Sequence, residues 1–396
     1  MRLVPCFLLL LVVFLAGTTL AGTAADAERL VVLTASGAPA LRTGEFAELG
    51  VVSVEPYYRG VLRRPRLAQL ADRLRVLRLA PGVAASAVAE RLARDPRIEA
   101  AEVPVAARLF YTPNDPRYPE QWFLPHVRAE EAWDVVRDPT TRQTVVGVID
   151  TGLDLDDPDL APSVWVNEPE DLNHDGRLDP GDLDGVDQDG NGFVDDVVGW
   201  DFTDDDPDPG DLHGHGSAVS ACVSAATDNG LRGAALGFGV RLMTLKAITA
   251  GGFLVDGYAP MLYAADHGVD AVNCSWGVPV FQAFEQAIVD AVWAEDVVIV
   301  AAGGDGSQVV YPAGYDHVFA VTATDANDHL AAFGAFGTYI DICAPGVNIL
   351  TIWNGGVTIL SGTPFAPGIL AGAARPGAGG GPRRTAPGRG GDTQRR

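Results

Sequence analysis

The chain has 396 residues, 47% hydrophobic and 8% aromatic, which excludes wholesale disorder and allows a large core. Its formal charge of -24 argues against binding a phosphate backbone, so nucleic acid is not an expected partner. The imbalance is local: Asp154 to Asp211 holds twenty-one Asp or Glu against the single Arg177, a loop system whose natural partners are divalent cations.

Residues 1–24 carry Arg2, an apolar run from Phe7 to Leu15, then small residues up to Ala21 and Ala24. That order predicts a secretory signal, and the apolar core is short for a membrane anchor. The expected product is secreted, with no anchor after signal cleavage. Cys6 leaves with the signal, while Cys222, Cys274 and Cys343 remain. One disulfide plus a free thiol and three free thiols both stay open.

Residues 25–112 hold thirteen Arg and ten acids and read as a small α+β domain. Leu74–Ala80 is a predicted strand, Ala84, Val88 and Leu92 share a helical face, and Asp95–Val105 gives a turn and a second strand. Tyr111–Trp122, rich in Pro and Asp, reads as a linker. From 113 to 374, apolar strand runs (Thr144–Asp150, Val240–Ile248, Val269–Gly277, Val297–Gly304) alternate with helical stretches (Gly257–Gly268, Ala283–Glu295). This predicts an α/β fold, a parallel sheet covered by helices on both faces, with functional groups at the carboxyl ends of its strands. Residues 375–396 contain no Leu, Ile, Val or aromatic residue and read as a disordered tail rich in Gly, Arg and Pro.

Chemistry is suggested by three segments taken together. Asp150 ends a strand in "VVGVIDTGLD", His215 lies in "HGHGSAVSA" where a loop enters a helix, and "SGTPFAPGILAGAA" opens a small-residue helix from a glycine turn. With "VNCSWG", "VIVAAGGDG", "YPAGYDHVFAVTATD" and "DICAPGVNI" in the same order, residues 113–374 resemble the subtilisin family of serine endopeptidases. The resemblance implies a subtilisin-like sheet, polypeptide substrates or peptide ligands, and a propeptide in residues 25–112. It further implies that Asp150 orients the imidazole of His215, the general base, with His213 the competing candidate. Ser275, Trp276 and Gly277 would form the edge that pairs with substrate, Gly251 and Gly252 would flank its other side, and Tyr311–Pro312 would be cis.

Three positions depart from the family pattern. Pro364 stands where the nucleophilic serine belongs, Gly304 where the oxyanion asparagine belongs, and Ala218 where a further histidine is usual. Proline removes a backbone N–H along with the hydroxyl, so nucleophile and both oxyanion donors are missing. The expectation is a chain that does not cleave peptides. A diverged pseudoprotease that binds peptides along its edge and a protease whose C-terminal sequence is frame-damaged both remain open.

The acidic segment contains a twelve-residue template for Ca2+, with Asp171, Asn173, Asp175, Asp179 and Asp182 at positions 1, 3, 5, 9 and 12 and Gly176 at 6. A second, incomplete loop follows with Asp187, Asp189, Asn191, Gly192 and Asp195, and Asp196 as substitute for the final ligand. The alternative is a solvated acidic loop. Mutual repulsion of so many carboxylates favours structural calcium.

Overall fold

The computed structural model describes residues 29–104, 111–136 and 143–374. The expected export signal and the tail after Ala374 lie outside these residues. The chain divides into two compact units, 1–109 and 110–396.

The first unit is α+β, as expected. Strands β1 (Arg29–Thr34), β2 (Val51–Pro56), β3 (Leu74–Leu79) and β4 (Ile98–Glu102) form an antiparallel sheet in the order β2-β3-β1-β4. Leu30, Val32, Leu77, Leu79, Val88 and Leu92 make its core. The helix Ala85–Leu92 buries Ala85 rather than the expected Ala84, because Ala84 is the extended residue that precedes the helix and its side chain falls outside.

The second unit is built on a seven-stranded parallel sheet. It comprises β5 (Val145–Asp150), β6 (Gly199–Asp201), β7 (Arg241–Lys246), β8 (Ala271–Cys274), β9 (Val298–Ala302), β10 (Val318–Thr324) and β11 (Ile342–Pro345), in the order β11-β10-β9-β8-β5-β7-β6. A hairpin of β12 (Ile349–Trp353) and β13 (Gly356–Leu360) precedes the helix Phe365–Gly372. β5 shows why the sheet is covered twice: Val146 and Val148 enter one apolar cluster with Trp133, Val219 and Ile369, while Ile149 enters another with Met243, Met261 and Val272. Successive side chains point to opposite faces, so a continuous apolar run demands burial on both.

Tyr111–Trp122 is not a linker but part of this second unit. Tyr118 is buried against Trp133, Asp115 accepts from Asp228 N at 2.7 Å, and Gln121 exchanges hydrogen bonds with Ala234 N and O at 2.7 and 2.8 Å. Its Pro and Asp content suggests solvent, yet Asp115 and Gln121 find partners more than a hundred residues away.

Candidate active site

β5 lies inside the sheet between β8 and β7, and Asp150 sits at its carboxyl end. The helix His215–Ser224 is made of small residues, nine of which are buried. Its first turn passes so close to the turn after β5 that a Cβ on Gly216 would collide with the Gly152 carbonyl oxygen. Only glycine permits that approach. The consequence is a 2.7 Å hydrogen bond from His215 Nδ1 to Asp150 Oδ1, an oxygen that also accepts from Thr151 N at 2.7 Å. His213 takes no part in this pairing and packs edge-on against Trp353.

Asp211, which sequence reasoning passed over, fixes the loop. Its Oδ1 accepts from Thr151 Oγ1, His213 N and Gly214 N at 2.8–2.9 Å, and its Oδ2 accepts from Ser217 N and Oγ at 2.9 and 2.7 Å. An acid four residues ahead of the histidine, just before a helix, was the available signal. Asp211→Ala is expected to lower stability by about 2–4 kcal/mol, since it orphans several donors at once. Chemical denaturation of the two proteins measures this.

Burial opposes charging of His215, but the Asp150 charge, its hydrogen bond and the Asp211 charge outweigh it and hold the pKa above the ordinary value. An isotope-edited NMR titration is expected to find the parent's His215 raised and the Asp150→Asn variant's lowered. Because the folded-state pKa is raised, the stabilising contribution is complete below the unfolded value and is lost as pH climbs through the folded one.

The other predicted positions gather around this couple. Pro364 has helical φ/ψ of -57° and -27° and leads directly into the helix Phe365–Gly372. Its carbonyl accepts from Ser275 Oγ at 2.7 Å, and Ser275 Oγ accepts from Asn273 Nδ2 at 3.0 Å. Phe365 stands 6.5 Å, centroid to centroid, from the His215 ring. Thr363 Oγ1 donates to Asp305 at 3.1 Å, tying the loop after Gly304 to the same turn. Ser361 is exposed and accepts from Asn348 N at 2.8 Å. Gly252 lies beside His213. The Trp276 ring turns into the core against Gly257 and Tyr258, leaving only its backbone at the edge. Tyr311–Pro312 is cis. Cys222 and Cys274 are buried free thiols, and Cys343 is partly buried.

In the acidic segment, Glu170, Asp187 and Asp189 bring carboxylate oxygens within 4.8 Å of one another. Glu170 carried no sequence signal, since it precedes the first loop and meets the second through space. It is fully buried; Oε1 accepts from Gln188 N and Asp189 N at 2.7 and 3.2 Å, while Oε2 has no partner. Asp195 and Asp196 are instead engaged by Asp184 N and Gly185 N, and by Asn167, Asn191 and Tyr263. In the first loop Asp171 accepts from Asp175 N and Gly176 N, Asp182 from Leu172 N and Asp179 N, and Asn173 donates to Asp179. Elsewhere Asp115 Oδ1 and Asp159 Oδ2 are buried without partners, and burial pushes Asp159 up to about 6.

A buried Asp150 paired with a half-buried His215 at the carboxyl end of a parallel strand, close to a glycine-flanked helix start, defines the scaffold of a nucleophilic hydrolase. The pattern of the subtilase family matches residues 141–374, and the chain belongs to that family. It is similar to a thermophilic serine proteinase of Bacillus sp. (strain AK1), 32% identical over 294 residues, covering 73% of this chain and 65% of that protein. Thermitase of Thermoactinomyces vulgaris is 29% identical, covering 67% and 84%, and the halolysin-like extracellular serine protease Nep of Natrialba magadii 29%, covering 70% and 47%. The chain thus spans a little under two thirds of the Bacillus proteinase and about half of Nep.

Proposed function

We propose that this chain is a secreted subtilisin-like domain that binds peptides along Ser275–Gly277 and does not cleave them. The observation that supports this reading is the intact Asp150–His215 couple, whose imidazole lies 6.5 Å from the ring of Phe365, the residue after Pro364. In the ancestral endopeptidase mechanism, His215 would take a proton from a serine at 364, and an asparagine side chain at 304 and the backbone N–H of 364 would supply the oxyanion donors. Here the imidazole has no hydroxyl to deprotonate, and a proline nitrogen has no hydrogen to donate. Fluorescence anisotropy with labelled peptides is expected to show binding, with no product by mass spectrometry and no labelling by a fluorophosphonate.

The same intact couple favours a second reading, an active endopeptidase whose sequence is damaged around position 364. Sequencing codons 300–396 from independent template separates the two. Residues 25–112 would be the propeptide, and an inactive chain cannot remove its own. Secretion is supported by extracellular relatives and by the absence, among the described residues, of any helix long and apolar enough to cross a membrane.

Calcium would be structural. The donor set is all oxygen, and Glu170 Oε2, Asp115 Oδ1 and Asp159 Oδ2 are buried acceptors without donors, as a hard cation requires. Glu170, Asp187 and Asp189 would hold one ion, and Asp115 and Asp159 are candidates to share another.

A further inference from the structure

Strands β2 and β3 are antiparallel neighbours, a pairing that a turn of about two to five residues would close. Residues 57–73 run between them instead, and they include the helix Pro65–Arg73. This helix buries none of its side chains. Its small residues Ala68 and Ala71 are half-buried, while Leu67 and Leu70, three apart on one face, stand exposed. A helix held only by its own domain would do the reverse, because leucine gains more than alanine from leaving water. Tyr57, Tyr58 and Val61 are exposed in the segment that leads into the helix, Val61 to 93%.

The charges of this segment are equally one-sided: Arg59, Arg63, Arg64, Arg66 and Arg73 stand against the single acid Asp72. Arg59 pairs with Glu55 and Arg73 with Glu99, whereas Arg63, Arg64 and Arg66 are exposed and make no ion pair among the described residues. Uncompensated guanidinium groups therefore sit among five exposed apolar or aromatic side chains. That composition suits a membrane interface, with leucine and tyrosine among the headgroups and arginine on their phosphates. A protein partner would need an acidic surface of matching shape, whereas a fluid bilayer needs only negative charge and apolar depth. We propose that residues 57–73 dock the first unit on an anionic lipid bilayer, peripherally and without spanning it. The net charge of -24 does not oppose this, because it is concentrated between Asp154 and Asp211 and screened beyond about 8 Å at physiological salt. The inference is independent of the peptide-binding reading. Its consequence is retention: while residues 25–112 stay attached, the chain stays at the membrane surface.

Vesicle sedimentation of the chain without its signal segment, Ala25 to Arg396, decides it. Vesicles of phosphatidylcholine with about a third phosphatidylglycerol are expected to bind the chain at least about tenfold more tightly than phosphatidylcholine alone. Replacing Arg63, Arg64 and Arg66 together by Gln is expected to weaken that binding about a hundredfold, and high salt to weaken the parent's likewise. Leu67→Gln with Leu70→Gln leaves the charge unchanged and is expected to cost at least about tenfold. All five side chains are exposed, so both variants should melt with the parent. Binding that survives both variants belongs to another segment and overturns the proposal, as does equal binding to the two kinds of vesicle. A parent that ignores vesicles but dimerises by analytical ultracentrifugation, with the dimer lost in the leucine pair, would make the occupant a second copy and overturn it too.

Discussion

The full chain carrying Pro364→Ser, Gly304→Asn and Val310→Gly together is expected to hydrolyse a peptide anilide and to react with a fluorophosphonate, where the parent does neither. The backbone is ready for this change: position 364 already has helical dihedrals that serine adopts without strain, and the Pro364 carbonyl is held by Ser275 whatever the side chain. Serine restores the hydroxyl and the N–H in one step. Asparagine restores the side-chain donor, and glycine at 310 makes room for it, since a Cβ at 304 would stand 2.9 Å from Val310 Cγ2. In subtilisin, a member of this family, loss of the nucleophile costs about a million-fold in kcat and loss of one oxyanion donor about 100- to 1000-fold. The gain should therefore be large and far from additive, with Pro364→Ser alone recovering only slow labelling. If the triple variant melts as the parent does and still fails to react, the pairing of His215 with position 364 is wrong.

Calcium removal is the second large effect. With free ion at about a hundred times its Kd, a single site contributes about 2.7 kcal/mol. For a unit of this size that is a fall in Tm of about 5 °C on adding a chelator, read by calorimetry. Glu170→Gln gives the effect a sign that a general loss of stability would not have. In calcium the variant should melt well below the parent, having lost a ligand charge. In chelator it should melt level with the parent or above it, because an amide in place of the unpartnered, buried Oε2 removes an uncompensated charge. A variant equally destabilised in both conditions would show that Glu170 serves packing and not an ion.

Much of this site was legible in the sequence, for a definite reason. Strand runs such as Thr144–Asp150 are continuous in sequence, and their two-sided burial follows from period-two geometry. Asp150 and His215 each sit at an element boundary, where composition changes abruptly from apolar to polar or glycine. The sequence already favours His215 over His213, through the glycine and Ser217 that follow it. The structure adds the physical reason, a helix start seated against Gly152 that gives this imidazole reach to the strand end. The linker expected at Tyr111–Trp122 failed because composition reports local preference, whereas Asp115 and Gln121 are buried and paired with residues far away in the chain.

What the sequence by itself determined was the alternation of the central strands with helices, the family, and a proline at 364, because each is carried by contiguous residues or by the identity of one side chain. The tertiary structure alone decided that Glu170 joins Asp187 and Asp189, that Asp211 clamps the histidine loop, that Trp276 belongs to the core, and that Val310 fills the space beside Gly304. These are contacts between distant segments. Their existence depends on where packing places the backbone, which no local pattern encodes.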